Sequence, residues 1–181
     1  MKNTLLFVFL IVVGGIFFYS YKNINKSAPD AQTSRDYVYT EQFRTNSKIF
    51  YCATRPQTES GCNLYTSDML SSNKINLNIA LDYGSEKKGL LLSPDKKHVL
   101  VVLEKMLQII NTETLEQKNI AQAPDGNTYG TYTSFPSFVP YATWVNNNQV
   151  RVSIFKQYTP EPYENEPATT PIETRVITIN E

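Results

Sequence analysis

Leu90, Leu91, Leu92, Ser93, Pro94, Asp95, Lys96, Lys97, His98, Val99, Leu100, Val101, Val102 and Leu103 form the stretch whose reading decides the fold of this chain. An apolar run stops at Ser93, Pro94 and Asp95, takes two lysines, and resumes as a β-branched run. Proline fixes its own φ and aspartate caps the turn, so the backbone reverses there. A second run from Met106 to Ile110 follows Glu104 and Lys105, and Asn111, Thr112, Glu113 and Thr114 turn the chain again before Leu115 to Ile120. The unit therefore holds four short strands.

The same residues also fit a helix. Ser93 followed by Pro94 is an N-cap with proline at the first helical position, and Val99, Leu103, Met106, Leu107 and Ile110 fall at helical spacing. A hairpin between Leu103 and Met106 would turn on Glu104 and Lys105, without the Gly or Asn that tight hairpins favour. Repetition decides between the two. Phe43, Asn46, Lys48 and Phe50 fall on Leu92, Asp95, Lys97 and Val99 at an offset of 49 (92 minus 43). Trp144, Asn147, Gln149 and Arg151 fall on the same positions at an offset of 52 (144 minus 92), with Val150, Val152 and Ile154 supplying the alternation of a half-buried strand. Three copies at roughly fifty residues mark propellers or arrays of small sheets.

Ahead of these units, Leu5 to Phe18 is apolar and uncharged, Tyr19 and Tyr21 follow as an interfacial pair, and Lys2 and Lys22 bracket the whole. Lys2 and Lys22 enclose 19 residues, which at about 1.5 Å per residue matches a bilayer core. A cleaved signal peptide needs small residues at its cleavage site; Phe18 and Ser20 do not fit that pattern, Ser20 is followed directly by more anchor-like sequence, and Ala28 precedes Pro29. No Cys near the segment offers a lipid attachment point. Residues 1–22 are therefore expected to be an uncleaved transmembrane helix, a signal-anchor held in the lipid bilayer, and the polar residues 23–35 a linker.

Orientation follows from two opposed signals. Lys22, Lys26 and Arg35 stand after the segment and only Lys2 and the α-amine before it, which by the positive-inside count favours a cytoplasmic body. The two cysteines, Cys52 and Cys62, lie across an apparent hairpin from Ile49 to Tyr65 with Gly61 in its turn. Facing strands bring two such residues within disulfide reach, and disulfides persist outside the cytosol. Two unpaired, half-buried thiols are the alternative. A short tail before a first hydrophobic segment usually stays inside, so the body is placed outside the cytoplasm, in the periplasm or at the cell surface.

Residues 36–181 are enough for one domain with a core. With 12 Tyr and 9 Phe in the chain, many Thr, Val and Ile and only 7 Gly, its composition suits β structure. Lys plus Arg balance Asp plus Glu at 17 each, so there is no electrostatic footprint for nucleic acid.

Lys48, Ile49, Phe50, Tyr51, Cys52, Ala53, Thr54, Arg55, then Asn63, Leu64, Tyr65, Thr66, Ser67, Asp68, then Asn73 and Lys74, resemble a TolB-type β-propeller repeat. In that family a strand ending near an Arg is followed by an Asn-Ile-Tyr-like strand, an Asp and a polar turn. The second unit is similar to the family's Ser-Pro-Asp-Gly-Lys turn at Ser93, Pro94, Asp95, Lys96 and Lys97, with Lys96 where the family has Gly. The third carries Asn146, Asn147 and Asn148 in place of Pro and Asp. The resemblance covers most of residues 36–156 and implies a mainly β fold of three propeller-like, four-stranded antiparallel units.

Propellers usually need four to eight blades, and each unit must bury its face against a neighbour. Either a compact fan has its exposed faces covered by linker and loops, or two chains combine as a homodimer, a two-fold six-bladed ring. Between the second and third units, Tyr129, Tyr132, Phe135, Phe138 and Tyr141 alternate with Pro136 and Pro140. Such aromatics make a binding surface for peptide or glycan, or plug a core. Tyr158 to Pro171 holds four prolines with Glu161, Glu164 and Glu166, an extended solvated loop with the make-up of a proline-rich ligand. It returns to a last strand from Arg175 to Ile179, expected to pair with Val150 to Phe155.

Chemistry-bearing motifs are few. His98 is the single histidine and alternates within a strand. There is no nucleophile elbow, phosphate loop, calcium loop or cluster of metal ligands, and hence no cofactor or catalytic residue to name. Asp82 with Glu86 is an acid pair that a polar turn explains equally well. The sequence points to a membrane-anchored, extracytoplasmic binding module, a protein-interaction or envelope accessory domain with a protein partner, and not to an enzyme. A ligand-sensing or hydrolase-associated domain whose catalytic partner is a separate chain is the alternative.

Overall fold

The computed structural model describes residues 37–56, 61–70, 72–82, 85, 88–134, 137–158 and 168–180, all in one compact unit that begins at Tyr37. The expected anchor over residues 1–22 and linker over residues 23–35 lie outside the described residues. The described chain is mainly β, and no helix among the described residues is long and apolar enough to cross a membrane.

Strands β1 (Val38–Arg44), β2 (Lys48–Thr54), β3 (Cys62–Asp68) and β4 (Ile75–Leu81) form an antiparallel sheet in sequence order. A second sheet repeats the plan with β5 (Leu90–Leu92), β6 (His98–Val102), β7 (Met106–Asn111) and β8 (Gln117–Gln122). The stretch around Ser93 is thus the β5–β6 hairpin, Leu92 facing Val99 and Leu90 facing Val101, and the helical alternative is excluded.

Every residue of β6 is buried. Because successive side chains point to opposite faces, β6 serves two cores at once. Val99 and Val101 join Phe50, Leu64, Leu77 and Ile79 of the first sheet. Leu100 and Val102 join Leu107, Val150, Val152 and Ile154 on the other side. The second sheet is therefore the middle layer of three, and this arrangement of four-stranded antiparallel sheets fits a propeller-like fold.

The third unit departs from the plan. It comprises β9 (Asn127–Thr128), the hairpin of β10 (Gly130–Ser134) and β11 (Ser137–Pro140), and the strands β12 (Ala142–Asn146), β13 (Gln149–Lys156) and β14 (Glu173–Thr178). The last strand pairs where expected, with Val150 opposite Ile177 and Ile154 opposite Glu173. The fourth strand comes instead from ahead of the unit. β13 has 8 residues against 5 in β12 and 6 in β14, so its far end has backbone groups still to satisfy. β9 meets them, Phe155 facing Thr128.

The three hairpin turns share a device, a side-chain oxygen that accepts backbone N–H groups. Thr45 Oγ1 accepts from Lys48 N at 3.0 Å, and Asn146 Oδ1 from Asn148 N at 2.9 Å. In the middle turn Ser93 Oγ donates to Asp95 Oδ1 at 2.6 Å and accepts from His98 N at 2.9 Å. Lys96 sits there at φ +63°, the left-handed conformation that glycine adopts at no steric cost. The repeat alignment needs one correction. The offset of 52 sets Arg151 on Val99, but Val150 is the residue opposite Trp144, while Phe50 faces Phe43 and Val99 faces Leu92. The third turn is one residue shorter, which sends Arg151 to solvent. β8 also starts later than Leu115, because Leu115, at φ +62°, closes a turn on the Asn111 carbonyl and packs against the first core.

Side chains tie the layers together. Gln117 Nε2 donates to the Leu77 carbonyl at 2.9 Å, joining the first two sheets, and Trp144 Nε1 donates to the Leu91 carbonyl at 3.0 Å, joining the second and third.

Two predictions follow from this core and this turn. Leu100→Ala and Ile110→Ala sit on opposite faces of the second sheet, and each is expected to cost about 2–5 kcal/mol. Both should shift the urea midpoint read by emission of Trp144, the chain's single tryptophan. An Ile110→Ala variant that leaves that midpoint in place would mean that the two cores unfold independently. The Ser93 hydroxyl, aided by the Lys97 N–H and nearby positive charge, holds the Asp95 carboxyl below its ordinary value. A depressed folded-state value contributes stability above the unfolded value, near pH 4, and loses it as pH falls through the folded value. The melting-temperature gap between the wild type and Asp95→Asn should accordingly narrow from pH 5 to pH 2, and a constant gap would contradict the assignment.

Candidate functional site

The face of the first sheet turned away from the second is built by alternation. In β2 and β3, Phe50, Cys52, Cys62 and Leu64 point into the first core, so Tyr51 and Tyr65, which face each other across the ladder, point outward. Tyr39 joins them from β1, opposite Ala53. Strict alternation would put Phe43 on this same outer face. A β-bulge between Glu41 and Phe43 reverses it, and the Phe43 ring stacks on Phe50 with centroids 5.0 Å apart. The bulge thus separates a tyrosine face from an aliphatic and phenylalanine core within one short strand.

Four half-buried tyrosines form one patch. Tyr39 meets Tyr65 edge-on at 5.2 Å and Tyr51 edge-on at 6.4 Å, and Tyr37 lies 6.4 Å from both Tyr39 and Tyr65. These are the geometries that aromatic quadrupoles favour. Two cations sit over the rings, Lys74 Nζ at 4.7 Å from Tyr39 and 5.2 Å from Tyr51, and the Arg55 guanidinium at 5.3 Å from Tyr37. Arg55 Nε also donates to the Tyr37 hydroxyl at 3.1 Å. Burial, with the adjoining Tyr39 and Tyr37 phenols, pushes the Tyr65 phenol above its ordinary value, so it remains a neutral donor. Glu41, on the same face, is engaged by Arg44 Nε at 2.5 Å and Nη2 at 2.7 Å, and that hydrogen bonding lowers its carboxyl. The patch offers ring surface, phenolic donors and positive charge.

Cys52 and Cys62 stand at disulfide distance beneath this face, with Cα atoms 5.4 Å apart and both side chains in the first core. The ladder pairs Cys52 with Leu64, so the cysteines are diagonal neighbours and not directly opposed. Gly61 has its own reason to be there. A Cβ at this position would meet the Leu81 carbonyl oxygen at 1.6 Å, so only glycine lets the chain pass β4 on its way into Cys62.

The other residues singled out from the sequence fall elsewhere. Of the aromatics between the second and third units, Tyr129 and Phe138 are buried core residues, Tyr132 is half-buried and Tyr141 exposed, while Phe135 lies outside the described residues. Glu86 also lies outside them; desolvation and the Glu104 charge push the Asp82 carboxyl up. Burial, Glu104 and Asp82 together raise the Tyr132 phenol well above its ordinary value. Among the described residues no group of three or more His, Cys, Asp or Glu side chains is placed to hold a metal. His98 is 8% exposed, and its Nδ1 has no hydrogen-bond partner among the described residues. It lines a cavity of about 450 Å³ with Ile109, Asn111, Lys118 and Ile179.

No protein-family model matches the chain, and no curated protein matches it. Among solved structures, an oligogalacturonate lyase in complex with manganese is similar over 63% of this chain, at 19% identity and a TM-score of 0.40. This chain spans 28% of that one, and the manganese and the lyase activity are said of that protein.

Denatured without reductant, the chain is expected to offer no thiol to an alkylating label, and two after reduction. Two labelled thiols in both conditions would refute the pairing. Replacing both residues, Cys52→Ala with Cys62→Ala, should cost roughly 2–4 kcal/mol.

Proposed function

We propose that the domain is a protein-interaction module, anchored by residues 1–22 and held outside the cytoplasm, and that its contact surface is the tyrosine face of the first sheet. The observation that carries the proposal is the clustering of four tyrosine rings under two cations on a sheet face that no described strand covers. Tyr and Arg are the residue types that concentrate binding energy at protein contacts, since they present large, rigid surface with a polar end. The opposite outer face of the stack offers a contrast, with Thr143, Arg151, Ser153 and Thr174 beside the exposed apolar Val176 and no aromatic cluster among the described residues. Binding, and not catalysis, is the proposed work.

The cavity beside His98 supports a second reading, a ligand-sensing domain, because the buried Nδ1 has no donor among the described residues. A small molecule that fills it should raise the melting temperature of the wild type and not of His98→Leu.

A photo-crosslinking side chain at Ala80, opposite Asn63 on the tyrosine face, tests the main proposal in the full chain expressed in cells. The expected result is an adduct of discrete mass from position 80 and none from Thr143 on the far sheet. No adduct at position 80, or the same adduct from both, would reject the face as the contact surface.

A further inference from the structure

We infer that the cavity beside His98 takes a zwitterion, an α-amino acid with a branched apolar side chain. The inference rests on the reading of this cavity as a ligand-sensing site and names the ligand class; the tyrosine face does not enter it.

Strand pairing builds the cavity. His98 opens β6 opposite Asn111, and Ile109 of β7 lies opposite Leu100 on one side and Lys118 on the other. Paired residues share a sheet face, and Leu100 and Ile109 belong to the core between the second and third sheets. His98, Asn111 and Lys118 therefore stand on the face turned to the third sheet. From that sheet come Ile179 and Asn180, just past β14. Ile179 is buried in the same core, and the Asn180 carbonyl accepts from Lys118 Nζ at 2.9 Å. Between them lies a space of about 450 Å³, within the range of small-molecule sites, roughly 300–1,000 Å³.

Floor and rim differ in kind. Ile109, Ile179 and His98 are buried, whereas Lys97, Glu113, Glu116 and Lys118 are exposed. The floor is thus apolar except for one imidazole, whose buried Nδ1 has no partner among the described residues. Buried polar atoms are seldom left unpaired, and one in the wall of a cavity calls for a ligand. The rim brings two carboxylates and two ammonium groups, and among the described residues none of the four closes an ion pair. Asn111 adds an oriented amide. Its Oδ1 accepts from Glu113 N at 2.9 Å and Thr114 N at 3.0 Å, which leaves the NH2 group as a donor to the cavity it lines.

Charge then selects the ligand. An anion gains from Lys97 and Lys118 but meets Glu113 and Glu116, and a cation has the opposite conflict. A molecule with an ammonium and a carboxylate group satisfies both sets through charge-assisted hydrogen bonds. Its ammonium donates to the carboxylates and to the imidazole; its carboxylate accepts from Lys97 and the Asn111 amide. Its apolar side chain covers Ile109 and Ile179, which a neutral sugar would set against hydroxyls.

The test is calorimetric titration of the full chain, solubilised in a mild detergent, with L-leucine, with leucinamide, which lacks the carboxylate, and with 4-methylpentanoate, which lacks the ammonium group. Saturable leucine binding is expected, with each of the other two weaker by about tenfold or more. Lys97→Gln should erase the preference for leucine over leucinamide, and Glu113→Gln with Glu116→Gln the preference over 4-methylpentanoate. These positions are exposed, and Trp144 emission should stay unchanged. No leucine binding, variants that weaken all three compounds alike, or preferences that the variants leave intact would each overturn the inference. If leucine fails while another small molecule raises the melting temperature of the wild type and not of His98→Leu, this ligand class falls and the sensing site stands; if none does, both fall.

Discussion

The strict alternation of side chains along β6 is the constraint on which the rest depends. Five consecutive buried residues leave no solvent face, so the strand must have a sheet on each side, and the second sheet becomes a middle layer. Val99 and Val101 fix where the first sheet packs; Leu100 and Val102 fix where the third one does. A shift of one residue in the β5–β6 or β6–β7 register would exchange the two sets. The turn at Ser93 and Asp95 prevents that slip by holding the hairpin from within, with the Lys97 and His98 N–H groups both bound to side-chain oxygens.

Much of this was legible in the sequence because it is local. The turn chemistry at Ser93, Pro94 and Asp95, the spacing of the repeat, the hairpin that brings Cys52 near Cys62, and the return of the last strand onto Val150 to Phe155 all rest on residues near one another in the chain or on a simple period. What escaped depends on two kinds of non-local information. A bulge cannot be seen from alternation, since Tyr39, Glu41 and Phe43 share one parity and only the inserted residue separates outward tyrosine from inward phenylalanine. Recruitment of β9 by the far end of β13 depends on unequal strand lengths, which the pattern of Val150, Val152 and Ile154 does not reveal. The tyrosine patch escaped for the same reason: its members come from residues 37, 39, 51 and 65, and only the ladder register brings them together.

The two buried interfaces and the tyrosine face differ in kind, and the difference bears on how the stack is completed. Between the first and second sheets the contact is made by Leu, Ile, Val and Phe with the two cysteines, and between the second and third by Leu, Ile and Val with Tyr129 and, at its edge, Trp144. A further sheet of this fold would require such a surface, because burying a phenol or an ammonium group without a partner costs more than the apolar contact returns. The outer face of the first sheet carries four phenols and two cations instead. Its rings are spaced for contact, burial holds the Tyr65 phenol above its ordinary value, and the Lys74 ammonium stands over the ring faces.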